Sequence, residues 1–154
     1  MTELTDTDRD LLRVLRAHPR ATVTDIARDL DAARGTVYAR LERLERLGVI
    51  TGWGPDVDPR AAGFGVLGFV NLEIDQDAHA DAMAHLRAIP EVLQIHTVTG
   101  IGDLMCIVIA IDNDHMHDVL QRITATRAVR RSQTQLALHS ESVRTATDVV
   151  ANQH

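Results

Sequence analysis

Apolar positions in the first fifty residues recur at helical spacing. Leu11, Val14, Leu15 and His18 fall at i, i+3, i+4 and i+7, which predicts a helix over about Asp6 to Ala17 with those four residues on its buried face. Thr5 and Asp8 stand at capping-box spacing, with Asp in place of the usual Glu, and Pro19 blocks continuation. Thr22 and Asp25 repeat that spacing before a second helix whose Ile26, Ala27 and Leu30 face inward. A third helix is predicted over about Arg34 to Leu47. Val37, Leu41 and Leu44 lock it against the other two, and Gly48 ends it. Two helices joined by a tight turn, the second bearing Arg34, Arg40, Arg43 and Arg46, form the layout of a helix-turn-helix, whose second helix enters the DNA major groove.

The segment Val49 to Val57 reads as a two-stranded ribbon turning at Gly52, Trp53 and Gly54, a wing able to lie along the DNA backbone. Two prolines and two glycines between Pro55 and Gly65 mark a connector. The rhythm then changes. Val66 to Asp75 alternates and predicts a strand. Ala82, Met83, Leu86 and Ile89 mark a helix ended by Pro90. Val92 to Thr97 is a second strand, Gly100 to Asp103 a turn, and Leu104 to Ile111 a third and best-buried strand. Met116, Val119, Leu120 and Ile123 give another helix, and Val129 to Ser140 alternates again. The order β-α-β-β-α-β is the split, ferredoxin-like arrangement. Two helices on one face leave the other face of the sheet bare, which invites pairing with a second copy. The expected organisation is α+β: a winged helix-turn-helix over residues 1–60, a ferredoxin-like domain over 64–141, and a loose polar tail over 142–154.

Charge sharpens this picture. The 154 residues carry 22 acidic and 16 basic side chains, a net of −6. A protein that met nucleic acid through its whole surface would be basic, so any DNA contact here is a local patch. Arg34 to Leu47 supplies one, with four arginines against two glutamates. All basic residues are arginine, which fits coding bias better than function. The one cysteine, Cys106, excludes an intrachain disulfide and lies in an apolar strand, as a core residue does. The opening residues lack the basic start and apolar run of a secretory signal, and the run Leu104 to Ile111 is too short to span a bilayer, so the expected compartment is the cytoplasm, with no membrane partner. His115 and His117 at i, i+2 point to different sides of a helix, and His79 with Asp81 lacks a third ligand, so neither a metal nor a cofactor is expected.

Taken together, the helix-turn-helix, the run Leu41 to Ile50 (LERLERLGVI), the Asp58-Pro59 step, the ferredoxin-like half and the Thr99-Gly100-x-x-Asp103 turn resemble the Lrp/AsnC transcriptional regulators over nearly the whole chain. That resemblance implies homodimers formed through the sheet domains, often assembled into octamers. It also implies an amino-acid effector bound between neighbouring sheet domains near the Gly-x-x-Asp turn. Carried over by position, the effector residues are Thr99, Gly100, Gly102 and Asp103, with Ser132 and Thr134 on the last strand. Three positions depart from the family pattern. Asp31 stands where Gly is usual, Ala32 where a large apolar residue is usual, and Ala33 where a capping Ser is usual.

The chemistry expected at each place follows from residue type. Arg34, Thr36 and Tyr38, in the first turns of the third helix, are the candidates for base-edge contact with double-stranded DNA. Arg40 and Arg43 lie further along and are expected to hold phosphates, so that Arg40→Ala would flatten the salt dependence of binding. Glu42 and Glu45 offer Arg43 and Arg46 local pairs worth only tenths of a kcal/mol. At the turn, Asp103 would attract an ammonium group, and backbone N–H groups around Gly100 and Gly102 would meet a carboxylate. The same four residues also make a sound tight turn with no ligand at all. Two other readings remain: a tetrapyrrole decarboxylase on the same architecture, using His96, His139 and Arg131, and a nucleoid protein with little sequence preference.

Overall fold

The computed structural model describes residues 4–151, so the outermost residues of the 1–60 and 142–154 assignments lie outside the described residues. The chain divides into two units. One takes in the chain up to Pro55 and again from Glu141 onward; the other is Asp56–Ser140.

The first unit contains α1 (Asp6–Ala17), α2 (Val23–Asp29), α3 (Arg34–Arg46) and, from the far end of the chain, α6 (Ala146–Val150). Thr5 and Thr22 close the two expected capping boxes with Asp8 and Asp25. Leu11, Leu12, Ile26, Ala27, Val37 and Leu44 form the core, with Leu30 and Leu41 packed against it. Each fully buried aliphatic side chain there contributes about 1.5–3 kcal/mol. The buried face of α1 differs from the expected one. Leu12 and Asp8 are inside and His18 is exposed, because His18 has already left the helix as its C-cap.

Two expectations for this unit are corrected. Among the described residues no strand forms between Val49 and Val57; the segment runs without ladder pairing, tied to α3 by a 2.6 Å hydrogen bond from Trp53 Nε1 to Glu45 Oε1. Gly52, Gly54 and Pro55 weaken a ribbon, and a lone two-stranded hairpin is marginal in water. The tail is not loose where it is described. Thr145 and Asp148 make a third capping box at the start of α6, Arg16 pairs with Asp148, Arg13 Nε donates to the Ala151 carbonyl at 3.0 Å, and Val150 packs on the core.

The second unit opens with a turn in which Asp58 Oδ1 accepts from the Arg60 and Ala61 N–H groups. It then runs β1 (Val66–Ile74), a short 3-10 turn, α4 (His79–Arg87), β2 (Val92–Thr97), β3 (Leu104–Ala110), α5 (Asn113–Thr124) and β4 (Val129–Ala137). The four strands pair antiparallel in the order β2-β3-β1-β4, which is the expected ferredoxin-like arrangement. Val70, Leu72, Leu104, Cys106 and Val108 point to one face and pack with Leu86, Met116, Val119 and Ile123 of the two helices. By the strand period of two, Leu67, Phe69, Met105 and Ile107 share the opposite face, and all four are half-buried.

Candidate nucleic-acid interface and effector turn

The turn between α2 and α3 is built on one residue in the left-handed region, Asp31 at φ 48°. Asp31 N donates to the Arg28 carbonyl and Ala32 N to the Ala27 carbonyl, at 3.2 and 2.9 Å. These are the paired bonds of a Schellman stop with Asp in the place glycine usually takes. The departure at Asp31 therefore preserves the turn. The departure at Ala33 does not preserve the cap: Ala33 is the N-cap of α3 and has no side chain to offer the open N–H groups. A hollow of about 570 Å³ lies beside this turn, with Arg28, Asp31 and Arg34 in its lining.

From that start α3 splits into two faces. Val37 and Leu44 are buried and Leu41 half-buried, while Arg34, Thr36, Tyr38, Glu42, Glu45 and Arg46 are exposed. Tyr38 is 61% exposed, a large ring presented to solvent near the helix start. The three expected base-edge candidates thus lie together on the accessible N-terminal half of the helix.

Arg40 and Arg43, expected to hold phosphates, do not join them. Both turn inward to Asp8 of α1, whose side chain is fully buried. Arg40 Nη1 donates to Asp8 Oδ1 at 3.1 Å and Arg43 Nη1 to Asp8 Oδ2 at 2.8 Å; the Thr5 N–H and hydroxyl donate to Oδ2 at 2.9 and 2.8 Å. Burial pushes the Asp8 carboxyl up, but the Thr5 bonds and the two guanidiniums together outweigh it and hold the group below the usual carboxylate range. Arg43 therefore pairs with Asp8 and not with a neighbouring glutamate. Sequence reading gave Asp8 only a capping role. Its place three and four residues before Leu11 and Leu12 was the available signal, since a carboxylate on a buried face needs cationic partners.

In the second unit, the turn after β2 carries Thr99, Gly100, Ile101, Gly102 and Asp103. Gly102 sits at φ 79°, and a Cβ there would stand 2.9 Å from the Leu72 carbonyl oxygen. Only glycine lets this turn lie so close to β1. Asp103 N donates to that same carbonyl at 2.8 Å, and Asp103 Oδ2 accepts from the Ile74 N–H at 2.9 Å, where the β1–β4 register slips. Ser132 pairs with Leu72, which pairs with Leu104, so Ser132 stands in the same row as the end of this turn, on the far side of β1. Two strand spacings put that row's ends about 10 Å apart. Thr134, opposite Val70, is one step further into the sheet. Of the six residues expected at an effector site, Thr99, Gly100, Gly102 and Asp103 thus share one turn, Ser132 lies across β1 from the end of that turn, and Thr134 lies at mid-strand.

A charged cluster that sequence reading missed joins the β2 approach to α5. Arg122 Nη2 donates to Glu91 Oε1 at 2.7 Å. His115 Nδ1 accepts from the Ile111 N–H at 3.2 Å, so its Nε2 carries the proton and meets Glu91 Oε1 at 3.1 Å. The Arg122 hydrogen bond, opposed by burial and aided by the Glu91 backbone and His115, holds Glu91 down to about 2. Nothing in the spacing of three residues so far apart in sequence announces this contact. Among the described residues no three His, Cys, Asp or Glu side chains gather as a metal site, and no helix is long and apolar enough to cross a membrane. His96 and Arg131, invoked for the decarboxylase reading, lie on β2 and β4, the two opposite edges of the sheet.

These features coincide with known proteins. The winged helix-turn-helix DNA-binding family matches residues 4–51, and the Lrp/AsnC ligand binding domain matches residues 67–147. The HTH-type transcriptional regulator Rv2324 of Mycobacterium tuberculosis is 34% identical over 142 residues, 90% of this chain and 94% of that one. The crystal structure of the leucine response regulatory protein LrpA of the same organism superposes with a TM-score of 0.79 at 30% identity, covering 98% of this chain and 99% of the other. A transcriptional regulator of Neisseria meningitidis, solved as a complex with L-Met, gives a TM-score of 0.82 at 26% identity, covering 94% and 96%. Relatives in these comparisons are named as regulators of transcription, which sets the decarboxylase reading aside. With both halves matched in order, the chain belongs to the Lrp/AsnC family of transcriptional regulators.

Proposed function

We propose that this regulator binds duplex DNA through the exposed N-terminal half of α3 and responds to an amino acid held at the turn around Gly100 to Asp103. The observation that carries the DNA reading is the exposure of Arg34, Thr36 and Tyr38 in the first turns of α3, directly after the Asp31 stop, with Arg34 and Tyr38 on one side of the helix. Arg34 suits a guanine edge or a phosphate, Thr36 and Tyr38 a base edge or the sugar-phosphate wall. Such a regulator acts where the DNA is, in the cytoplasm.

The effector reading rests on the tight turn of Thr99, Gly100, Gly102 and Asp103, with Ser132 in the row that ends it and Thr134 two residues further along β4, and on the L-Met found with the Neisseria relative. Asp103 has one oxygen on the Ile74 N–H; the other is the partner proposed for an ammonium group. The half-buried apolar face of Leu67, Phe69, Met105 and Ile107, opposite α4 and α5, is the proposed homodimer surface, with the octamer as its further assembly. An effector bound at a subunit junction favours one assembly state and so changes the spacing of the DNA-binding units by linkage.

A mobility-shift titration on DNA upstream of the protein's own gene, with and without a panel of amino acids, tests this reading. The expected result is a specific complex whose midpoint moves with one or a few amino acids and weakens at least tenfold in Arg34→Ala. Equal affinity for random DNA at moderate salt would replace the specific regulator with a low-specificity nucleoid protein. Absence of any complex would overturn the DNA assignment.

A further inference from the structure

We propose that Asp8 is an internal stand-in for a DNA phosphate: it holds Arg40 and Arg43 against α1 and so withdraws half of the arginines of α3 from the DNA backbone. The inference rests on the DNA reading above and specifies which cations that helix has available. Both guanidiniums reach the same carboxylate, one on each oxygen, at 3.1 and 2.8 Å. The carboxylate is fully buried, and the two arginine side chains are only 29% and 36% exposed. Arg40 is drawn so far inward that its Nε is buried without a hydrogen-bond partner, and its Nη1 also lies 3.3 Å from the Thr5 hydroxyl. A guanidinium seated in this way must give up a charge-assisted bond to a buried anion before it can neutralise a phosphate. The Thr5 N–H and hydroxyl keep Asp8 ionised and aimed, so the stand-in carries its full charge at every physiological pH.

The consequence is a helix that looks strongly cationic in sequence and offers little non-specific attraction. Of its four arginines, Arg34 and Arg46 are the two on the exposed face. Each phosphate neutralised adds about 0.9 to the slope of log K against log salt. Leaving two cations out therefore lowers the affinity for every duplex by a similar factor, and binding that remains useful at moderate salt must come from base edges. Asp8 acts here as a positioning residue, through the arginines it binds.

The test measures that slope for the full-length protein on random-sequence duplex, by fluorescence anisotropy between low and moderate salt, with a thermal melt of every variant. Asp8→Asn keeps the shape and removes the charge. It is expected to steepen the slope by about 1 to 2 and to raise random-DNA affinity at low salt. Arg43→Gln and Arg40→Gln are expected to leave the wild-type slope unchanged to within about 0.3, whereas a phosphate ligand would lower it by about 0.9. If Asp8→Asn is unfolded at the assay temperature, the two arginine variants decide the matter alone. A slope that falls in either arginine variant, or that stays put in folded Asp8→Asn, overturns the proposal. Wild-type protein that binds no duplex would sink the DNA reading. Binding newly acquired by Asp8→Asn would still support the stand-in, and continued silence in that variant would overturn it.

Discussion

Asp103 Oδ2 lies 2.9 Å from the Ile74 nitrogen and accepts its hydrogen bond at the point where β1 loses register with β4. The carboxylate is thus a structural tie of the sheet before it is anything else. Asp103→Ala is expected to cost about 1–2 kcal/mol of stability with no effector present, seen as a lowered thermal midpoint. Asp103→Asn keeps an acceptor for that N–H and removes the charge. Its expected phenotype is near-normal melting with the amino-acid response lost, measured by calorimetric titration. An intact response in Asp103→Asn would remove the ammonium contact.

Gly102→Ala places a methyl group 2.9 Å from the Leu72 oxygen at a backbone angle alanine resists. The expected cost is about 2 kcal/mol or more, from strain and displacement of the turn together. A chemical-denaturation curve with an unchanged midpoint would show that the turn moves freely away from β1.

The recognition turn is built below its attainable stability. Asp31→Gly relieves a side chain held at φ 48°, and Ala33→Ser supplies the missing cap of α3. Each is expected to stabilise the first unit by about 0.5–1 kcal/mol. Differential scanning calorimetry of the two single variants and the double variant checks both the sign and the additivity.

Glu91 gives the second unit an acid-sensitive support. Its carboxyl is held down to about 2 from an ordinary 4.5, chiefly by Arg122. A depressed carboxylate contributes stability that is complete above about 4.5 and disappears as the pH falls toward about 2. The difference in melting temperature between wild type and Glu91→Gln is therefore expected to be constant from neutral pH down to about 5 and to shrink below it. A difference that persists unchanged at pH 2.5 would mean that the carboxylate charge plays no part.

Removal of the chain from Thr145 onward uncovers the part of α1 and the core that Val150 and Ala151 cover. The expected loss is about 1–2 kcal/mol for the first unit. Limited proteolysis provides a second measure: Arg144, exposed before the Thr145 cap, is expected to be cut far faster than Arg16, which is engaged with Asp148.

Much of this architecture is legible in the chain because its signals are local. The capping boxes at Thr5 and Thr22, the stop at Gly48, the alternation of β1 and the continuous apolar run of β3 each lie within one element, and the structure reproduces them within a few residues. What escaped was long-range. The partner of Arg43 is 35 residues away, and that of Arg122 is 31. The small polar tail reads as disordered until Thr145 and Asp148 are noticed as a third copy of the spacing already found twice. The missing ribbon is the converse case, a local pattern of glycine and apolar residues that pairing did not ratify. At the turn after β2, the Gly-x-x-Asp pattern is visible in the sequence, but the grip of Asp103 on Ile74 depends on a register that no single strand encodes.

The return of α6 also bears on how the molecule is made. Arg16 and Asp148 are 132 positions apart, so the bundle that emerges first from the ribosome lacks its last helix until the whole sheet has followed it out. The order of synthesis is head, insert, then closure, and the closing step joins α1 to a helix made long after it. A nascent chain of this protein should carry an incomplete bundle until α6 has emerged, so the arrival of α6, and not that of α3, sets the moment at which the bundle becomes complete.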